Sequence, residues 1–267
     1  MGLIDRLRAK PRPRANGPPR SRAYEHDPHG RFWWHKLPGT GYVPPLYAQL
    51  SDEEWALMEE WYDATESGAA EINVPAMSVL QGLVMGSAIT RIVQLGHHYG
   101  YSTLLLGFML RAMGVTSTGL ASIDISAGAT KVTQRWVDRA GLRPQVELIV
   151  GDSADEASLR AAEEALGGMP GLILLDSSHQ YAHTLRELDL WVPRMAPGSL
   201  LLAHDTSTFA TTFDSTGEGG VQRALDEWLP AHPEAAFVSL NRHVAPGDPG
   251  TGLAYKDGCG LGILQRI

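Results

Sequence analysis

The feature that most constrains the fold is a regular alternation, from residue 76 onward, of short apolar runs and longer helical stretches. Runs such as 89–95 (ITRIVQL) and 172–175 (LILL) are brief, largely apolar and bounded by glycine or polar residues, which is typical of buried strands. Strands separated by single helices favour parallel pairing with helices on both faces. The pattern therefore predicts a doubly wound α/β fold around a mostly parallel, seven-stranded sheet.

The predicted elements alternate almost without exception. The predicted strands span residues 89–95, 119–125, 145–150, 172–175, 199–203, 236–240 and 261–265. The predicted helices span residues 76–86, 102–113, 129–140, 158–166, 181–192 and 221–229. Because little helical sequence separates the last two strands, we expect them to close the sheet as an antiparallel hairpin.

An additional helix is predicted ahead of this pattern. Ser51 and Glu54 have the spacing of a capping box, in which each side chain bonds the other residue's backbone N–H. Four large side chains follow at helical spacing and predict a face packed on the core: Trp55, Met58, Trp61 and Tyr62. We expect residues 23–70 to form an aromatic and helical cap, and residues 71–267 to form the main domain.

Charge is distributed unevenly along the chain. Residues 1–22 contain seven Lys or Arg and one Asp, while the whole chain has a formal net charge of −8, so the remainder carries −14. The Pro- and Arg-rich residues 1–22 are predicted to be a disordered basic tail, with recruitment of an anionic partner as the lesser alternative. The acidic remainder argues against a nucleic-acid-binding face.

Composition excludes several other classes of protein. Cys259 is the single cysteine, so neither a disulfide framework nor a multi-cysteine zinc site is available within one chain. No apolar run approaches the roughly 18 residues of a membrane span. We therefore expect a cytoplasmic protein with no membrane partner.

Ligands of doubly wound sheets bind beyond the carboxyl ends of the strands, so polar residues after each strand are candidates for a site. Gly96 and Gly100 lie between a predicted strand and helix, where missing side chains allow close backbone approach to a ligand. Ser102 is the predicted cap of that helix, whose N-terminus can face a polar or anionic group. The segment has neither Gly-Lys-Ser/Thr nor Gly-x-Gly-x-x-Gly, so it is not a standard phosphate-binding or dinucleotide-binding loop.

Two later strand ends predict a nucleoside site. Asp124 ends the second strand, 28 residues after Gly96, where a carboxylate can hold a ribose diol; the alternative is a helix cap by Asp124 or Ser126. Asp152 and Ser153 follow the third strand, where they can contact an adenine edge or, alternatively, cap a helix.

The fourth and fifth strands end in acids. Asp176 and Asp205 are 29 residues apart and follow strands predicted to be neighbours, so both carboxylates can reach one divalent cation. His179 follows Asp176 by three residues and has the side chain best suited to a general base near neutral pH. The alternative is that these acids are helix caps or solvated loop residues.

Two blocks of this chain resemble class I methyltransferases, which use S-adenosylmethionine (SAM). The segment 92–110, containing VQLGHHYGYSTLLLGFML, resembles their first SAM motif. The segment 174–206, LLDSSHQYAHTLRELDLWVPRMAPGSLLLAHDT, resembles their pattern Asp-x-x-His-x-Tyr, helix, Pro-Gly, apolar strand and His/Glu-Asp-Thr. Residues 73–75 and 79–81 are similar to the upstream segment of the cephalosporin hydroxylase and macrocin O-methyltransferase groups, mostly metal-dependent enzymes acting on small natural products.

The resemblance, which begins near residue 70, implies a role for each candidate residue. Gly96, Tyr99, Gly100 and Ser102 would cradle the methionine part of SAM, Asp124 the ribose, and Asp152 and Ser153 the adenine. Asp176 and Asp205 would bind Mg²⁺, with His204 beside them, and His179 would occupy the position of the base. It also implies a small-molecule substrate and a homodimer.

Two residues depart from the family pattern. Gln94 replaces the usual acid of the first motif, which alters one common cofactor contact. His204 replaces a second acid before Asp205, and histidine is a poorer Mg²⁺ ligand than a carboxylate. The histidine is compatible with a weak site, another metal or none; without metal, His179 or His204 would serve as the base.

Three functions follow, in order of preference. The first is a SAM-dependent O-methyltransferase acting on a small-molecule hydroxyl or carboxylate, with or without a divalent metal. The second is a non-catalytic SAM-binding partner of a biosynthetic enzyme, which the changed Gln94 and His204 favour mildly. The third is a nucleotide-dependent oxidoreductase, which the missing Gly-x-Gly-x-x-Gly disfavours.

Overall fold

Seven strands form a single sheet in the structure, a computed structural model that describes residues 42–65, 71–245 and 252–267. The strands are β1 (Ile92–Leu95), β2 (Leu120–Asp124), β3 (Val146–Val150), β4 (Leu172–Leu175), β5 (Leu200–His204), β6 (Ala235–Leu240) and β7 (Leu261–Arg266). Their order is β3-β2-β1-β4-β5-β7-β6. The first five strands pair in parallel, whereas β7 is antiparallel to both β5 and β6. The predicted doubly wound sheet with an antiparallel C-terminal pair is confirmed.

Helices connect the strands and cover both faces. They are α1 (Pro45–Ala48), α2 (Asp52–Thr65), α3 (Val74–Gly86), α4 (Tyr101–Ala112), α5 (Ala127–Arg139), α6 (Glu156–Leu166), α7 (Tyr181–Trp191) and α8 (Gly220–Trp228). Short 3₁₀ turns follow at Val192–Arg194, Ala210–Phe213 and Leu229–Ala231. Within the described residues, no helix has the length and apolar character needed to cross a bilayer.

Two apolar clusters, one on each face of the sheet, hold the layers together. In β1, Ile92 belongs to the cluster on the α1–α5 side, whereas Val93 and Leu95 belong to the cluster on the α6–α8 side. All three are fully buried. This alternation is what a central strand covered on both faces requires.

Most element boundaries fall within three residues of the predicted ones. β1 begins at Ile92 rather than at Ile89, because the Ile89 N–H donates to the Val84 carbonyl and completes the turn that ends α3. The predicted capping box is present ahead of α2: Ser51 N–H donates to Glu54 Oε2 (2.7 Å), and Glu54 N–H donates to Ser51 Oγ (3.2 Å).

The predicted basic tail, residues 1–22, lies outside the described residues. Of the predicted cap, only residues 42–65 are described, and they carry α1 and α2. Trp55, Met58 and Trp61 are fully buried in the cluster on the α1–α5 side, as their spacing predicted.

Candidate active site

The site is centred on the switch point of the sheet, where the connections after neighbouring strands β1 and β4 leave toward opposite sides. Gly96, directly after β1, has φ +89°, and a Cβ there would lie 2.1 Å from the Asp176 carbonyl oxygen. A side chain is therefore excluded at Gly96 both by the backbone conformation and by contact with the β4 loop. The predicted glycine loop and the predicted acid Asp176 are thus brought together.

The glycine loop ends at the N-terminus of α4. Gly100 is the N-cap residue, with φ +93°, and no side chain caps this helix among the described residues. The prediction that Ser102 is the cap is wrong, because Ser102 lies inside the first turn and its hydroxyl accepts a hydrogen bond from Gln94 Nε2 (2.6 Å). The first-turn N–H groups of α4 can therefore face an anionic group of a ligand.

Gln94 is a buried structural residue. Its Nε2 donates to the Gly96 carbonyl (3.0 Å) and to Ser102, and its Oε1 accepts from Thr103 Oγ1 (2.9 Å) and Ser122 Oγ (3.1 Å). The side chain is fully buried, so every polar atom of the amide must find a partner within the protein. Gln94 thus fixes the glycine loop from below. Although it replaces the acid of the family pattern, it leaves no unpaired polar group there.

Asp124 binds the same loop from the end of β2. Its Oδ2 accepts from the backbone N–H groups of His97 (3.1 Å) and His98 (2.8 Å), and its Oδ1 accepts from Ser126 N–H (2.8 Å). Ser126, not Asp124, caps α5, since its hydroxyl accepts from Ala129 N–H. The Asp124 carboxylate is partly exposed and borders the glycine loop.

His97 is buried between hydroxyl groups beneath this loop. Nδ1 lies 3.0 Å from Ser122 Oγ, and Nε2 lies 2.9 Å from Thr130 Oγ1. Burial lowers the pKa of His97 to about 4, and the nearby Asp124 offsets this only in part. His97 is therefore neutral at physiological pH.

The next strand end, after β3, is tied to helix α7. The Asp152 carboxylate contacts His183 Nε2 (2.8 Å) and Arg186 (3.0 Å), while Ser153 Oγ donates to Glu187 Oε1 (2.5 Å). Glu187 also accepts from Ser177, which follows Asp176. These contacts position the loop that the sequence assigns to adenine. Neither His183 nor the fully buried Glu187 was predicted, because their helical spacing gives no sign of a site.

Asp176, His179 and Asp205 meet at the ends of β4 and β5, as predicted from the pairing of these strands. His179 Nδ1 lies 2.7 Å from Asp205 Oδ2, and each of the three residues offers an atom within 4.8 Å of the others. His179 and Asp205 have positive φ angles of 58° and 61°, in the left-handed region that residues other than glycine seldom adopt. The backbone therefore departs from its relaxed form where these side chains converge.

His204, at the end of β5, faces carboxylates on both sides of its ring. Nδ1 lies 3.3 Å from Asp205 Oδ1 and 3.5 Å from Asp176 Oδ1, and Nε2 lies 3.2 Å from Asp257 Oδ2. Asp257 was not predicted, because it lies in the loop before β7 and is 53 residues from His204 in sequence. The fold, rather than any local motif, brings it to the site.

The neighbouring carboxylates raise the pKa values of both histidines of this centre. Burial would lower the pKa of His179, but the hydrogen bond and charge of Asp205 outweigh burial and raise it. Burial would also lower the pKa of His204, but Asp205, Asp257 and Asp176 raise it well above the ordinary value. In turn, burial would raise the pKa of Asp205, yet His204 and His179 hold it well below its usual range.

Two segments flank this centre. The Asp214–Gly220 loop is held by the Asp214 carboxylate, which accepts from the backbone N–H groups of Thr216 (2.8 Å), Gly220 (2.9 Å) and Tyr181 (3.3 Å). On the cofactor side, Trp61 Nε1 of α2 donates to the Tyr99 carbonyl (2.8 Å). The N-terminal helices are thereby fixed directly to the glycine loop.

Part of this sequence is similar to known methyltransferases. Residues 93–206 match the family model described as a methyltransferase domain. The 8-demethyl-8-α-L-rhamnosyl tetracenomycin-C 2′-O-methyltransferase of Streptomyces olivaceus is 29% identical over 143 residues, which is 45% of this chain and 37% of that protein. The match therefore spans little more than a third of the length of that curated relative.

Solved structures share the fold at low sequence identity. An O-methyltransferase from Bacillus cereus, in complex with S-adenosylhomocysteine (SAH), superposes with a TM-score of 0.62 at 19% identity, over 82% of this chain and 92% of that one. An O-methyltransferase from Streptomyces achromogenes involved in tomaymycin synthesis, in complex with SAM, gives a TM-score of 0.58 at 16% identity, over 82% and 91%. These structures show that the chain shares the fold of these O-methyltransferases, and residues 93–206 of that fold match the methyltransferase-domain model.

Proposed function

We propose that this protein is a SAM-dependent O-methyltransferase that acts on a hydroxyl or carboxylate of a small molecule, a natural product or another metabolite. The observation that carries the proposal is the His179–Asp205 pair, joined at 2.7 Å at the carboxyl ends of β4 and β5, beside the glycine loop. A histidine held by an aspartate at one ring nitrogen is suited to accept a proton at the other.

The cofactor-binding half of the site fits SAM. The uncapped N-terminus of α4 suits the carboxylate of the methionine part, and Gly96, Tyr99 and Gly100 border it. Asp124 lies where it can accept from the ribose hydroxyls, and Asp152 and Ser153 lie at the strand end assigned to adenine. Bound there, SAM supplies an electrophilic methyl group, so the protein has mainly to position and desolvate the reactants.

His179 is the proposed general base. Its Nδ1–H donates to Asp205 Oδ2, which leaves Nε2 as the acceptor for the proton of the substrate hydroxyl. Asp205 then stabilises the resulting imidazolium. Asp176, whose carboxylate is partly exposed, orients the acceptor hydroxyl within the same cluster.

Binding of the cofactor is the first test. Calorimetric titration of the protein with SAH should give saturable binding, and Asp124→Ala should weaken it because the ribose loses its acceptor. Asp226→Ala, at an exposed aspartate that pairs with Arg242 on the surface, is the matched control and should bind as the native protein does. Absence of SAH binding to the native protein would refute the proposed function.

Methyl transfer is the second test. His179→Ala should lower turnover of radiolabelled SAM by about 10²–10⁴-fold if the residue is the base, whereas replacement of the exposed His243 should leave it unchanged. Because the base acts in its neutral form, turnover should fall as pH drops below the raised pKa of His179. SAH binding without turnover on any acceptor would instead support the non-catalytic SAM-binding partner.

Three finer statements accompany the proposal. We infer that residues 71–267 form the SAM-binding domain, that the protein is cytoplasmic, and that it forms a homodimer, as the family resemblance implies. Light scattering of the full chain checks the last statement, since a monomeric mass at working concentration would refute it.

A further inference from the structure

The position that a second acid occupies in the metal-binding relatives holds His204 in this chain, and this ring lies within the carboxylate cluster. The ring is 5% exposed and faces three carboxylates, those of Asp176 and Asp205 at Nδ1 and that of Asp257 at Nε2. A carboxylate that is ionised can only accept hydrogen bonds. Both ring nitrogens therefore face carboxylate acceptors, and the ring lies between the three acids.

The carboxylate oxygens of Asp205 are already engaged on both sides. Oδ2 accepts from His179 Nδ1 at 2.7 Å, and Oδ1 lies 3.3 Å from His204 Nδ1. Mg²⁺ requires near-octahedral oxygen coordination at about 2.0–2.1 Å, with water completing the shell. An aspartate held between two rings, with a histidine in place of the second acid, does not fit that requirement. These contacts would have to be replaced before Asp176, Asp205 and His204 could coordinate Mg²⁺ as predicted.

The far side of the His204 ring is also fixed. Asp257 is fully buried, and its Oδ1 accepts from Asn73 Nδ2 (2.7 Å) and from Cys259 N–H (3.0 Å). Its Oδ2, which faces His204, also accepts from the Tyr255 hydroxyl (3.3 Å). Three donors besides His204 thus hold this carboxylate in place. These contacts hold the Asp257 carboxylate against the far side of the ring, where a donor at His204 Nε2 completes its set of partners.

We propose that the His204 ring takes the place of the divalent cation, so that this methyltransferase site works without a metal. The ring links Asp176 to Asp205 by charge and hydrogen bonding, which leaves proton removal to His179 alone. The inference rests on the proposed function, and it assigns His204 a positioning role that differs from the metal-ligand role predicted from the sequence.

The first experiment measures metal binding to the native full-length protein after treatment with a chelator. Titration with Mn²⁺, followed by the electron paramagnetic resonance signal of the free ion, should show no site. SAH affinity measured with and without Mg²⁺ should agree within about twofold, which is below half a kcal/mol. A saturable Mn²⁺ site that Asp205→Asn abolishes would overturn the inference. Failure of SAH to bind under either condition would refute the proposed function and not this inference.

The second experiment converts the site. His204→Glu restores an acid at this position and should create a saturable Mn²⁺ site, visible as loss of the free-ion signal and as a rise in Tm with Mg²⁺. His204→Gln, which is similar in size but neutral, is the matched control and should bind no metal. A folded His204→Glu protein that binds no Mn²⁺ would count against a cation position at the ring. If that variant does not fold, the measurement on the native protein still decides.

Discussion

His97 and His204 are buried to nearly the same extent, with 3% and 5% exposure, yet their pKa values shift in opposite directions. His97 lies between the hydroxyls of Ser122 and Thr130, and its pKa falls to about 4. His204 lies among three carboxylates, and its pKa is raised well above the ordinary value. Burial disfavours the charged form of both rings, so the partners alone account for the difference.

The comparison divides the site into two halves that work by different physical means. The half around β1 and β2 holds a neutral ring, backbone N–H groups and a helix N-terminus, so it binds through dipoles and hydrogen bonds. The half around β4 and β5 holds paired charges, which suits proton transfer. A site that binds a charged cosubstrate near a general base benefits when the binding groups and the base lie in separate halves.

The largest effect should come from breaking the charge pairing of His204. Asp257→Asn keeps the shape of the side chain but removes the charge that faces Nε2, and should lower the free energy of unfolding by about 3–5 kcal/mol. Asp226→Asn, at the exposed pair with Arg242, should cost less than about 1 kcal/mol. Urea unfolding of both variants at neutral pH checks this, and equal losses would show that His204 does not depend on its buried partner.

An intermediate effect should appear in the acid limb of the stability curve, that is, in how the free energy of unfolding falls below pH 6.5. His97 has a folded pKa of about 4 against 6.5 for an unperturbed histidine, so the unfolded state binds more protons between these pH values. The contribution of His97 to the free energy of unfolding is therefore complete above pH 6.5. Up to about 3 kcal/mol of it is lost as pH falls toward 4.

Replacing His97 by Gln should remove that contribution, so the variant should lose less stability than the native protein over this interval. Urea midpoints at several pH values measure the difference. The control is replacement of the exposed His243, which should leave the acid limb unchanged. A native-like acid limb in the His97 variant would show that the ring is already protonated in the folded protein.

The smallest effect should come from a single neutral partner of His97. Ser122→Ala removes the hydroxyl that lies 3.0 Å from Nδ1 and donates to Gln94 Oε1, and should cost about 1–2 kcal/mol, since two neutral hydrogen bonds are lost in a buried site. Ser117→Ala, on an exposed loop, should cost almost nothing. If Ser122→Ala proved as costly as Asp257→Asn, hydroxyl and carboxylate partners would be energetically alike, and the comparison would fail.

Much of the fold could be predicted because it depends on local patterns. Strands such as Leu172–Leu175 are short apolar runs, and the helices between them have helical spacing, so their type and order follow from the sequence. The convergence of Asp176, His179 and Asp205 was also predictable, because neighbouring parallel strands end at the same edge of a sheet.

The remainder of the site depends on contacts between distant segments. Asp257 contacts His204, 53 residues away in sequence, from a loop with no periodic pattern, so no local motif indicates their pairing. Gln94 was expected to alter a cofactor contact, but in the structure its amide is used within the core. In both cases the hydrogen-bond partners of a buried side chain depend on which residues pack around it. That packing cannot be read from a single sequence.

The positive φ angles at the strand ends affect which substitutions would stabilise this protein. Three of the five non-glycine residues with positive φ in the described structure are His98, His179 and Asp205, all at this site. Glycine at such positions would relieve about 1 kcal/mol of backbone strain. At His179, the backbone conformation alone would therefore favour glycine over the side chain that we assign to proton transfer.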